Sequence, residues 1–164
     1  MEDKNDTIRL AKLDQTFITS HPYFISAFRQ DLISYREIQF IITETSTDAN
    51  EKHTAYLNAI KASFDEVGIS EDDYNDYVGQ TSINPGAGNL DKEDHILTQK
   101  YIGLFVQPEV FNDLRRNDFP AISPTSGSQI PVRLNYPSDE LLFNSSAPAD
   151  GATTLFTPKV GWDN

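Results

Sequence analysis

The chain has 164 residues, 38% of them hydrophobic, with ten Phe and seven Tyr, a composition that supports one globular core and excludes a disordered tail. A formal charge of −12 argues against nucleic acid as a partner, because a polyanion is held by a basic patch that releases counterions. With no cysteine there is no disulfide, thiolate nucleophile or Cys-based zinc site, and no apolar run is long enough to cross a membrane as a helix.

Residues 1–30 have mixed polarity, a His21-Pro22-Tyr23-Phe24 cluster and no period, and read as irregular. The first residues are acidic and polar where a secretory signal is basic and then apolar, so the chain as written is expected to carry no export signal and no lipid-anchor cysteine. Ser34 and Glu37 have capping-box spacing, and Ile38, Ile41, Ile42 and Thr45 then share one face of a predicted helix. Asp48 and Glu51 repeat the cap before a second helix with Tyr56, Ile60, Phe64 and Val67 on a stripe and Ala55, Ala59 and Ala62 beside it. Gly68 stands where a left-handed C-terminal cap is expected. Together these predict an antiparallel helical hairpin.

Residues 70–89 are acidic and polar and read as a loop that ends in Asn84-Pro85-Gly86-Ala87-Gly88. A third helix is predicted from Asp91, with Leu97, Tyr101, Leu104 and Phe105 as its apolar stripe. Pro108 suits the first turn of a short fourth helix that turns Val110, Phe111 and Leu114 inward, and Arg115 and Arg116 complement its dipole. Beyond Pro120, Pro, Ser and Gly predominate. That stretch reads as irregular structure wrapped on the helices, with Ile130, Leu134, Tyr136, Leu141, Leu142 and Phe143 expected to be buried.

Five segments in order resemble the SusD/RagB-like outer-membrane nutrient-binding lipoproteins. They are Ser34-Tyr35-Arg36-Glu37-Ile38-Gln39-Phe40, then Gln99-Lys100-Tyr101-Ile102-Gly103-Leu104-Phe105, then Glu109, Phe111, Asp113, Arg115, Arg116 and Pro120. Pro131, Arg133, Tyr136, Pro137, Glu140 and Asn144 come next, and the chain closes on Thr157-Pro158-Lys159-Val160-Gly161-Trp162-Asp163, with Gly161 where the family usually has a first tryptophan. The resemblance covers residues 33–164, the C-terminal portion of a typical member. It implies an all-α fold of tetratricopeptide-like helical hairpins with long ordered irregular loops and tail. On that basis residues 1–164 are one domain or fragment, irregular over 1–30, helical over 33–119 and a packed irregular tail over 120–164.

For function, the resemblance implies non-catalytic capture of an oligosaccharide or other nutrient on the cell outer membrane, surface-exposed in the full-length parent. The ligand would pass to a SusC-like TonB-dependent transporter. No catalytic residue, metal or cofactor is implied. The family-motif residues Glu37, Arg115, Arg116, Arg133, Tyr136, Pro137, Glu140 and Trp162 read as structural, with Arg115 and Arg116 capping a helix and pairing with Glu140. Tyr74 and Tyr77, on the acidic stretch Glu71, Asp72, Asp73 and Asp76, are the candidates for a sugar platform, against the simpler reading of rings folded inward. Asp91, Glu93, Asp94 and His95 look like a metal cluster, but a helix start rich in acids explains the same residues. Glu37 and Glu44 are the pair a glycoside hydrolase fragment would need, and a helical-repeat scaffold binding a protein partner is the third reading.

Overall fold

The computed structural model describes residues 32–125, 127–148 and 154–157. Six α-helices succeed one another there: α1 (Tyr35–Thr45), α2 (Ala49–Glu66), α3 (Glu71–Val78), α4 (Thr98–Gly103), α5 (Glu109–Asn117) and α6 (Ser138–Phe143). A π-helical turn, Lys92–Leu97, runs directly into α4, and no strand occurs among the described residues. The all-α expectation holds. The expected irregular segment 1–30 and Trp162 lie outside the described residues. The chain divides into two compact units, one ending at Gln107 and the other starting at Pro108.

In the first unit the caps work as the sequence indicates. Ser34 Oγ accepts the Glu37 amide at 3.1 Å, and Asp48 Oδ1 accepts those of Asn50 and Glu51 at 3.0 and 2.8 Å. Between the two helices Ser46 donates to Glu51 Oε2 at 2.6 Å, which tightens the three-residue turn. At the far end of α2 the Ile69 amide reaches the Phe64 carbonyl and the Gly68 amide that of Asp65. Gly68 has φ +68°, so the left-handed stop anticipated there is present as a Schellman motif. The helices run antiparallel, because Arg36 at the start of α1 pairs with Glu66 at the end of α2, while Gln39 meets Asn58.

The core is built on α2. Tyr56, Ile60, Phe64, Ile69, Tyr77 and Ile83 form one buried cluster, with Val67 and Tyr74 packed against it. Phe64 stacks at a tilt on Tyr77 (5.2 Å) and edge-on to Tyr74 (5.7 Å). The Tyr56 hydroxyl donates to the Ile83 carbonyl at 2.7 Å, so the polar end of the ring is satisfied inside the core.

Three expectations fail here. Helix α1 buries Arg36, Phe40 and Thr43, at spacings of four and three, whereas Ile38 and Ile41 are exposed. The inward arginine is tolerated because Glu66 meets it. Residues 71–78 form α3 instead of loop: Ser70 caps it by accepting the Asp73 amide, its acids sit at the positive end, and Tyr77 anchors it in the core. The third helix starts at Asp91 as expected, but its π turn adds a residue per turn and rotates the α-helical residues beyond it. Ile96, Leu97, Gln99, Lys100, Gly103 and Leu104 are buried, whereas Phe105 is exposed and Tyr101 only half-buried.

In the second unit Pro108 precedes α5, and Asp118 ends that helix at φ +51°. Of the expected inward side chains Val110, Phe111 and Leu114 are half-buried, and Asp113 is the buried residue of the helix. Ile130 and Tyr136 are half-buried, but Leu134, Leu141, Leu142 and Phe143 are exposed, Phe143 to 84%, which corrects the expectation that the tail buries them. Residues 138–143 are helical where irregular chain was expected. No helix among the described residues is long and apolar enough to cross a membrane.

Candidate functional site

The two platform candidates from the sequence do not line a site together. Tyr77 is fully buried, and its hydroxyl and the Gln99 amide bond each other, with Gln99 Nε2 donating at 2.9 Å. Both faces of that ring belong to the core. Tyr74 is half-buried and donates to the Leu57 carbonyl at 3.3 Å, and burial together with the neighbouring Glu71 charge raises its phenol above the ordinary value.

The acids and histidine at residues 91–95 form a helix start. Asp91 Oδ1 accepts the Glu93 and Asp94 amides at 2.9 and 2.8 Å, and His95 Nδ1 accepts the Asp91 amide at 3.1 Å. Glu44 is paired with the buried Lys100 at 3.1 Å. Its role is to neutralise an ammonium with only 3% of its side chain exposed.

The motif residues of the second unit hold chain to chain. Arg115 donates to the Val132 carbonyl at 3.1 Å and to Asn112 Oδ1 at 2.6 Å, with its guanidinium 4.4 Å from the Phe111 ring centre. Arg116 pairs with Asp113. Glu140 accepts from Asn144, so the expected pairing with the arginines is replaced by these partners. Arg133 lies 5.3 Å over the Tyr136 ring, Pro137 leads into α6, and the Leu155 carbonyl takes the amides of Val132 and Arg133. A cavity of about 140 Å³ lies among Leu114, Arg115, Pro120, Ile122, Ile130 and Val132. Its wall is mainly apolar, and it is small beside the roughly 300–1,000 Å³ of ligand sites.

The larger concavity is in the first unit, an open groove of about 570 Å³ between the start of α1 and the outer face of α2. Tyr35 forms one side, and Asn58, Lys61, Ala62, Asp65 and Glu66 form the other. Those α2 positions recur at helical spacing over two turns, on the opposite face from Tyr56, Ile60 and Phe64. Lys61 is bonded to Asp65 and, at 2.9 Å, to Glu71, which raises its ammonium above the ordinary value, and it sits 5.5 Å over the Tyr74 ring. Glu66 meets Arg36, and partial burial pushes its carboxyl up. Sequence reasoning missed this groove. The polar stripe at 58, 61, 65 and 66 was visible, but Tyr35 opposite it was readable only with the hairpin register.

Residues 5–137 match a family model, SusD-like, described as starch-binding associating with outer membrane. No curated protein and no solved structure matches the chain.

Proposed function

The chain belongs to the SusD-like family, and from that premise we propose that it binds a neutral oligosaccharide at the outer membrane without cleaving it. The observation that carries this reading is the match over residues 5–137, which spans the whole helical part of the first unit and α5. In this reading the hairpin α1–α2 is a tetratricopeptide-like element, the parent protein is a surface lipoprotein, and the ligand passes to a SusC-like TonB-dependent transporter. The motif residues Arg115, Arg116, Arg133, Tyr136 and Pro137 are structural in this reading: Arg115 ties α5 to the Val132 carbonyl, Arg116 pairs with Asp113 inside α5, Arg133 lies over Tyr136 and Pro137 leads into α6. Glu37 belongs with them at the start of α1.

The test is native electrophoresis of the full chain in gels cast with and without soluble starch, beside an assay for new reducing ends. Retardation by starch with no new reducing ends is expected. Unchanged mobility, or cleavage, would overturn the proposal. Unchanged mobility together with a stable complex with a protein partner would support the scaffold reading instead.

A further inference from the structure

We infer that the groove between Tyr35 and the outer face of α2 is a subsite for one neutral pyranose ring, with Tyr35 as the stacking platform and Asn58, Asp65 and Glu66 as hydroxyl partners. This deepens the glycan-binding reading above and rests on it.

A pyranose has an apolar face of C–H groups and a polar rim of hydroxyls. It is held well by an aromatic ring on one side and a few fixed donors and acceptors around it. The groove offers that combination. Tyr35 is 59% exposed at the first residue of α1, on the lip of the groove, and among the described residues it makes no ring contact. Across from it the small Ala62 side chain lies between Asn58 and Lys61 on one turn and Asp65 and Glu66 on the next. One turn of helix rises about 5.4 Å, comparable to the width of a sugar ring, so groups on the two turns can reach opposite edges of one ring.

The reading groups are held in place before any ligand arrives. The ion pairs engage Asp65 Oδ1 and Glu66 Oε2, which leaves the second oxygen of each carboxylate to accept from a hydroxyl. Asn58 donates to Gln39 Oε1 at 3.4 Å, so its own oxygen remains an acceptor. Lys61 is fixed between Asp65 and Glu71. Side chains already ordered by such pairs lose little entropy on binding. The local charge sets the class of sugar. Three carboxylates (Asp65, Glu66, Glu71) face two cations (Lys61, Arg36), which leaves one negative charge at the groove, on a chain that is itself at −12. Neutral sugars fit that field, and uronates are repelled.

The experiment is titration of the isotope-labelled full chain with maltotriose and with trigalacturonate, monitored by backbone amide chemical shifts. Maltotriose is expected to shift amides at Tyr35 and along residues 58–66, and trigalacturonate to leave them in place. Tyr35→Ala is expected to weaken maltotriose binding by about tenfold, roughly the loss of one stacked ring, while Tyr35→Phe stays within about twofold of the parent. Asp65→Asn, which keeps an acceptor, serves as the variant with the groove shape intact and is expected to weaken binding by about threefold while admitting trigalacturonate. Maltotriose binding that is indifferent to Tyr35→Ala and shifts other amides would overturn the subsite and leave the glycan-binding function standing. No binding of maltotriose or of longer starch fragments would overturn both.

Discussion

Adding one methyl at Gly103 tests how α4 is seated on α1. A Cβ there would lie 2.9 Å from Phe40 Cε2 and 3.2 Å from its Cζ, with Arg36 Cδ next at 3.8 Å. Carbon atoms prefer about 3.5–4.0 Å, so the ring must retreat by more than half an ångström. Phe40 is fully buried, so its shift disturbs the packing around it. Overpacking of this kind costs about 1–3 kcal/mol. Replacing Gly by Ala returns at most about 1 kcal/mol of helix propensity, and less here because Gly103 is the last residue of α4. Gly103→Ala is therefore expected to destabilise the first unit by about 1–2 kcal/mol, read as a lower midpoint in urea with an unchanged slope. Phe40→Leu in the Gly103→Ala background makes room for the methyl, so the double variant should lose less than the sum of the two singles. A Gly103→Ala protein as stable as its parent, or losses that simply add, would refute the close approach of α4 to Phe40.

Buried polar groups and backbone strain give three more outcomes. Tyr77→Phe removes the hydroxyl that the buried Gln99 side chain bonds and should cost about 0.5–1.5 kcal/mol in urea unfolding, and Tyr77→Phe with Gln99→Leu should cost less than the sum of the two singles. Glu44→Ala removes the carboxylate paired with the buried Lys100 ammonium and should cost more, at about 3 kcal/mol in urea unfolding, than Lys100→Met, which removes the charge itself; equal losses would contradict the account. Val106 is a β-branched residue at φ +68° and is half-exposed, so Val106→Gly relieves strain with little packing to lose. It should raise the thermal midpoint by a few degrees, and a fall would show that its contacts outweigh the strain.

The parts of the fold that were legible in the sequence are those decided by one or two local residues. The caps at Ser34 and Asp48 and the stop at Gly68 are short-range chemistry, and the Tyr56, Ile60, Phe64 stripe has a single period. The failures come where tertiary partners decide. Helix α1 has apolar side chains on more than one side, and its buried face includes Arg36 because Glu66, thirty positions on, neutralises it. Helix α3 is so acidic that it reads as a loop, yet Tyr77 in the core and Tyr74 against it supply its anchor and Ser70 its cap. The π turn before α4 shifts the buried stripe by a residue, which no periodicity assigned with a 3.6-residue turn can anticipate. Family membership was legible because it rests on spaced motifs. The groove was not, because Tyr35 faces residues 58–66 only once the hairpin has closed.

The most direct test of the account is calorimetric titration of the full chain with maltoheptaose, with chromatography of the recovered sugar. Saturable heat of binding with the oligosaccharide returned intact is the predicted result. No heat at millimolar sugar, or maltoheptaose recovered as shorter fragments, would contradict a starch-binding protein that breaks no bond.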